Sequence, residues 1–367
     1  MEGKKMKKFT ALLLCTVMLL GLMGSTACSA SGQQSSTTAS AEGSPSNVTT
    51  VTNASGEKYK IGVVVKLIGI GWFDRMNEGL QEYAAETGHE VFMQGPAKAD
   101  AAQQVQILED LIAQNVDAIC IVPLSPEACE PVLKKAREKG IVVISHEADN
   151  LVNVDYDIEA FDNYAYGAEL MKILGEKMGG TGKYATTVGA VTAKSQNQWE
   201  EGGVTYQEEN FKDMELVERK LETYDEQKKA EEVMTELLKK YPDLTGFQGA
   251  TSQDAPGAAA AVEKAGLIGK VHVVGTSLPS IAGKYLESGA LDAIAFWDPA
   301  QAGKAMCELA VMCLDGKQDQ IKEGLDLGIE GYGDLQYNPE ITTDQQKYLY
   351  GSAWVFVTKE NMDDYNF

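Results

Sequence analysis

Lys60-Ile61-Gly62-Val63-Val64-Val65-Lys66-Leu67-Ile68-Gly69-Ile70-Gly71-Trp72-Phe73 is the stretch whose reading decides the fold. Its first six residues form a continuous apolar run, the pattern of a parallel strand buried on both faces. A glycine-broken turn follows, and then helical spacing over 72–87 (Phe73, Met76, Leu80, Tyr83, Ala84) that stops at Gly88. The strand-then-helix unit recurs. Strand-like Val91-Phe92-Met93 leads to a helix over 99–114, and 118–122 leads to a helix over 126–139. Ile141-Val142-Val143-Ile144 closes this first series. A second series places strands near 184–188, 244–248, 271–275 and 293–296, with helices such as 163–178 and 226–240 between them. Repeated βα units of this kind predict an α/β protein with doubly wound parallel sheets and right-handed crossovers. About 310 residues exceed one hydrophobic core, so two lobes are expected. The first is expected over 58–157 with a returning segment 291–316, the second over 158–290 with 317–367, joined by a hinge of three crossings.

Upstream of the folded part the chain has a different character. Lys4, Lys5, Lys7 and Lys8 precede an apolar segment from Phe9 to Met23, which ends in Gly24-Ser25-Thr26-Ala27 before Cys28. A basic head, a short apolar core and a small-residue exit describe a secretory signal over 1–27, since a membrane-spanning helix needs about 20 apolar residues. Ser25-Thr26-Ala27-Cys28 resembles a bacterial lipobox, which implies that Cys28 is acylated; a plain signal peptide with unmodified Cys28 is the other reading. Residues 29–57 are almost all Ser, Thr, Ala, Gly, Gln and Asn. A flexible segment of about 28 residues reaches roughly 30 Å, enough to tether a globular domain just clear of a bilayer. The expected location is exported, lipid-anchored at the outer face of the cytoplasmic membrane or in the periplasm.

Formal net charge is −22, and residues 1–27 hold four lysines and one glutamate, so the chain beyond them stands at about −25. Such a surface repels nucleic acid, and no cluster of basic residues with interleaved aromatics offsets it. Of the six cysteines, Cys120, Cys129, Cys307 and Cys313 sit in apolar contexts without metal-ligand spacing, and they read as buried free thiols. No metal and no cofactor are expected.

In doubly wound sheets ligands sit beyond the carboxyl ends of the strands. Those positions hold Lys66 and the pair Trp72-Phe73; Pro123 and Ser125; His146, Glu147 and Asp149; Ser195, Gln196 and Trp199; Thr251, Ser252 and Asp254; Thr276 and Ser277; and Trp297-Asp298. Flat aromatic faces with carboxylates, amides, hydroxyls and one ammonium suit a polyol. Each sugar hydroxyl both donates and accepts, and an aromatic ring packs on the C–H face. Charge-assisted bonds are the stronger ones, which singles out Lys66 and Glu147. A lysine ending a buried strand is costly without a purpose.

The quoted stretch, together with Gly95-Pro96, Gln104-Val105-Gln106, Pro123-Leu124-Ser125-Pro126, Gln196-Asn197-Gln198-Trp199 and Phe296-Trp297-Asp298-Pro299, resembles the periplasmic sugar-binding superfamily that includes ribose-binding proteins, and most closely its autoinducer-2 and rhamnose-binding branch. The likeness runs from about residue 58 to 367. It implies a two-lobe solute-binding lipoprotein of an ABC importer, acting as a monomer with a membrane permease as partner and closing on a small sugar-like ligand. It also implies ligand contacts at Lys66, at Glu147 (an aspartate in the autoinducer-2 binders) and at Gln196. Ser195 replaces a neighbouring aspartate of theirs, and Ala250 and Ser252 stand where they have proline and alanine. These departures leave autoinducer-2, a pentose and a deoxyhexose all open as ligands.

Several positions carry two readings. Trp72 and Phe73 are core or ligand platform, and Trp297 and Asp298 are hinge packing or pocket. Glu147 and Asp149 could cap the following segment, and Asp254 reads better as the N-cap of a helix over 255–265 than as a contact. Enzyme readings fare worse: the three histidines (His89, His146, His272) stand in no nucleophile-elbow context. Gly179-Gly180-Thr181-Gly182-Lys183 follows a helix instead of opening one, which makes it a helix stop and not a phosphate loop. A signal peptide in place of a DNA-binding headpiece excludes a LacI-type regulator. A sensor feeding a chemoreceptor or kinase, and a secreted carbohydrate-active enzyme, are the alternatives.

Overall fold

The computed structural model describes residues 58–338, 341 and 347–367. The expected signal, Cys28 and the whole tether lie outside the described residues. The apolar run forms strand β1 (Lys60–Val64), and the glycine turn delivers the chain into helix α1 (Gly71–Thr87). Gly88 ends α1 in the left-handed conformation at φ 77°, its N–H donating to the Ala84 carbonyl. Strand β2 (Glu90–Gln94) leads to α2 (Ala101–Ala113), opened by the Asp100 carboxylate accepting the N–H groups of Ala102 and Gln103. Strand β3 (Ala118–Ile121) and α3 (Pro126–Glu138) follow, with Ser125 as N-cap and Pro126 in the first turn. Then come β4 (Val142–Ser145) and β5 (Tyr156–Glu159).

The second series runs α4 (Asn163–Lys177), β6 (Thr181–Val188), α5 (Lys194–Asn210), β7 (Asp213–Glu222), α6 (Gln227–Lys240) and β8 (Leu244–Gly249). It continues with α7 (Asp254–Ala265), β9 (His272–Thr276), α8 (Pro279–Ser288), β10 (Ala293–Phe296) and α9 (Pro299–Leu314). Three short strands close the chain: β11 (Gln336–Tyr337), β12 (Tyr348–Tyr350) and β13 (Val355–Val357).

These strands make two sheets. One has the order β11-β12-β5-β4-β3-β1-β2, the other β13-β10-β9-β8-β6-β7. Pairing is parallel except at β11–β12 and β10–β13. The fold is therefore two doubly wound α/β lobes. The chain crosses between them after β5, after β10 and after β12. Two crossings run side by side, Gly351 N–H donating to the Glu159 carbonyl and Ala353 N–H to that of Ala160, both at 3.0 Å.

Sheet membership corrects the expected lobe boundaries. Strand β10 pairs with β9 and lies in the second sheet, so the returning segment begins only with α9, which packs on α1, β3 and β4. Residues 336–337 and 348–350, expected in the second lobe, extend the first sheet through the pairing of β12 with β5. The physical reason is that Ala293-Ile294-Ala295-Phe296 is apolar enough for the middle of either sheet, and its pattern does not encode which one.

In the second lobe, α4 and α5 approach through glycines. A Cβ on Gly167 would lie 1.7 Å from the Trp199 carbonyl oxygen, and one on Gly202 would lie 2.1 Å from that of Tyr164. Gly167→Ala is expected to force the helices apart at a cost of about 3 kcal/mol, the upper end for overpacking. The check is the midpoint of urea unfolding, with Gly283→Ala, whose Cβ would meet nothing within 4 Å, as the control.

Candidate functional site

The carboxyl ends of β1 and β4 and the start of α5 meet between the lobes. Lys66, two residues past β1, is 3 % exposed, and its ammonium donates to Oε2 of Glu147, itself 4 % exposed. Ser195 Oγ, from the second lobe, donates to the same Oε2 at 3.1 Å. Glu147 holds φ at 62°, a left-handed conformation disfavoured for a residue with a side chain. Strain of this sort costs on the order of 1–3 kcal/mol and persists where the surroundings impose it. Here the His146 N–H, donating to the Ile121 carbonyl at 2.9 Å, ties the turn to β3.

Trp297, at the second crossing, is the centre of an aromatic cluster. Its ring centroid lies 4.6 Å from that of Trp72, 5.1 Å from Phe161, 5.4 Å from Trp199 and 6.2 Å from Tyr166. Edge-to-face geometry dominates, as the ring quadrupole favours. Trp297 Nε1–H donates to His146 Nε2 at 3.2 Å, and His146 Nδ1 faces the Ile158 carbonyl at 2.5 Å. That pair of partners requires the neutral tautomer with the proton on Nδ1. Burial works in the same direction, pushing the imidazole pKa down.

From the second lobe, Gln196 Oε1 accepts the Gly189 N–H at 2.8 Å, which turns the amide nitrogen toward the cleft. Beside it stands Asp225, 7 % exposed, whose Oδ2 has no hydrogen-bond partner among the described residues. Burial is the main cause that pushes its pKa up to about 7; Asp254 and Glu147 add to the rise and Lys66 opposes it.

These groups line one cavity. Its wall is Lys66, Ile70, Trp72, Phe73, Glu147, Gln196, Trp199, Asp225, Ala250, Thr251, Ser252, Thr276 and Trp297, around about 300 Å³ of space that includes the solvent at its mouth. With the lobes this close, the side chains themselves nearly fill the space, and a ligand must part them to enter. Trp72 and Phe73 are both core residues and both line the cavity, as does Trp297. Ser195 sits directly behind Glu147. Asp225 was not singled out from the sequence, although it stands three residues past the end of β7; recognising that strand would have pointed to it.

Asp298 lies elsewhere. Its Oδ1 caps α9 through the Ala300 N–H at 2.9 Å and accepts from Arg75 Nε at 2.9 Å, while Oδ2 accepts from Arg75 Nη2 at 2.7 Å. It faces a different hollow, beside Phe296, Trp354 and Phe367. Proximity in sequence to Trp297 is misleading, because the strand-to-helix turn points the two side chains apart. Asp254 is structural in a different way from that expected: it is the first residue of α7, and its carboxylate accepts from Thr187, Thr223 and the N–H groups of Ala250 and Thr251. Asp149 latches the lobes, accepting from Gln198 on α5 at 2.7 Å. Thr192 donating to the Leu124 carbonyl at 3.0 Å adds a second latch. Cys120, Cys129, Cys307 and Cys313 are buried free thiols.

A cleft between two doubly wound lobes, closed by contacts from both, defines a bilobal ligand-binding protein. The chain belongs to the periplasmic binding protein domain family, which matches residues 61–318. It is 29 % identical to the D-allose-binding periplasmic protein of Escherichia coli over 68 % of this chain and 82 % of that one. It is 25 % identical to the ribose import binding protein of Bacillus subtilis over 83 % and 93 %. Among solved structures, LsrB from Clostridium saccharobutylicum in complex with AI-2 superposes with a TM-score of 0.77 at 22 % identity, covering 84 % of this chain and all of that one. An ABC transporter solute-binding protein from Clostridium phytofermentas with bound L-rhamnose gives 0.76 at 22 % identity, over 84 % and 98 %.

Proposed function

We propose that this protein is the solute-binding component of an ABC importer and holds one small sugar or sugar-like molecule between its lobes. The observation that carries the reading is the cavity wall itself. An ammonium–carboxylate pair from the first lobe, an amide and a carboxyl from the second, and indole faces between them supply what a polyol needs on every side. The curated relatives named for D-allose and ribose, and structural neighbours holding L-rhamnose and AI-2, support it. The matching family and the curated relatives are binding proteins, which supports binding without turnover as the role. Ligand that touches both lobes favours the closed form, which is the form a permease would distinguish. Export, acylation at Cys28 and action as a monomer complete the proposal.

Thermal melting against D-allose, ribose, D-arabinose, L-rhamnose and autoinducer-2 tests it. A true ligand at a hundred times its dissociation constant adds about 2.7 kcal/mol of stability, which a shift in midpoint reads directly. No shift with any of the five would overturn the sugar assignment.

A further inference from the structure

Asp225 is placed with some effort. It and Tyr224 hold φ at 56° and 57°, two successive left-handed residues that are not glycine. The turn is pinned by the Thr223 N–H donating to the Val188 carbonyl and the Tyr224 N–H to the Gly189 carbonyl, both at 2.9 Å. Room for the side chain depends on Gly189, where a Cβ would lie 2.4 Å from Asp225 Oδ2 and 3.0 Å from Gln196 Oε1. The outcome is a buried carboxyl oxygen with no protein partner, on the wall of the ligand cavity, next to an amide whose oxygen is already engaged. Left as it is, such a group lowers stability. Backbone strain, a cleared position and an unsatisfied oxygen, all directed into one cavity, describe a binding group.

We infer that Asp225 is a ligand-contacting residue that selects uncharged polyols: with the Gln196 amide it takes neighbouring hydroxyls from the second lobe, and it rejects sugar acids and sugar phosphates. This rests on the proposed sugar clamp. The local charges explain the rejection. Three charged groups face Asp225: Lys66 from the end of β1, Glu147 from the turn after β4 and Asp254 from α7. Lys66 is matched by Glu147, and Asp254 is satisfied by two hydroxyls and two backbone N–H groups. A ligand anion would meet Asp225 and Glu147 with no free cation on the cavity wall, among the described residues, to balance it. The position also compensates for Ser195, since an acid reaches the cavity from the loop after β7 instead of from the start of α5.

The test is calorimetric titration of the full exported domain, wild type and Asp225→Asn, with D-allose, ribose, L-rhamnose, D-arabinose and autoinducer-2, and with D-arabinonate and L-rhamnonate as anionic probes. The expected result is a loss of roughly tenfold to a hundredfold in affinity for the best-bound uncharged probe in Asp225→Asn, the range for a hydrogen bond to a charged group. The ligand-free variant should melt at or above the wild-type temperature, because an unsatisfied acid has been removed; a merely structural aspartate would melt lower. A hydroxyl donating to the carboxylate favours its ionised form, so wild-type affinity should rise with pH through about 7, and the variant should be flat. Gly189→Ala, which displaces Oδ2, should reproduce the affinity loss and stands in if Asp225→Asn does not fold. A wild type that binds none of the uncharged probes overturns the clamp and this inference together. A wild type that binds one, with Asp225→Asn equal in affinity and pH profile, leaves the clamp standing and overturns the role of Asp225, as does wild-type binding of either sugar acid comparable to that of its parent sugar.

Discussion

Replacing Lys66 with methionine is expected to abolish measurable ligand binding and to destabilise the protein by about 3–5 kcal/mol, the cost of leaving one member of a buried ion pair uncompensated. Glu147, 4 % exposed, would keep only the Ser195 hydroxyl as a hydrogen-bond donor among the described residues. Glu147→Gln should weaken binding by about 1–1.5 kcal/mol, the difference between a charge-assisted bond to a ligand hydroxyl and a neutral one. The double variant Lys66→Met/Glu147→Gln separates the two roles. Removing the orphaned charge should restore most of the stability lost in Lys66→Met, since replacing both members of a buried pair is often close to neutral. Affinity should stay lost. Urea unfolding and calorimetry on the same four proteins check this, and affinity that recovered along with stability would show the pair to be structural. The strained φ of Glu147 already favours the functional side, because a pair kept only for stability would not need its carboxylate on a left-handed residue.

Lys66 was legible from sequence because a lysine that ends a run such as Ile61-Gly62-Val63-Val64-Val65 enters the interior, and its presence there asks for a reason. The βα alternation was legible for the same cause: strands buried on both faces are uninterrupted apolar words, and glycines or capping side chains end the helices between them. Strand β7 was not. It runs along the edge of its sheet with Asp213, Glu215 and Lys220 exposed or half exposed, and its pairing with β6 shifts register between Tyr184 and Ala185 and again before Thr187. A bulge breaks the two-residue period on which an edge strand is recognised. Losing β7 concealed the loop behind it, and with it Asp225. The short strands β11 and β12 escaped for another reason, since two or three residues carry no period at all and only pairing with β5 defines them.

Trp297→Ala is expected to cost about 3–5 kcal/mol, the range for deleting a buried large aromatic side chain, and to weaken ligand binding beyond what the lost wall area explains. Trp297 is 1 % exposed and stands where the chain passes from β10 to α9, one of the three crossings. It touches Trp72 of the first lobe and Tyr166 and Trp199 of the second, so its removal opens a void that neither lobe can fill alone. Its Nε1–H also fixes His146, the residue directly before Glu147. With that donor gone, the imidazole loses one of the two bonds that set its tautomer, and the Glu147 turn loses a neighbour that holds it. Trp297→Phe distinguishes the two effects: it retains an aromatic body but no donor, so it should recover most of the stability and less of the affinity. Thermal melting and calorimetry on both variants read the split. If Trp297→Phe restored affinity in full, the indole N–H would have no part in shaping the site, and Trp297 would act through packing alone.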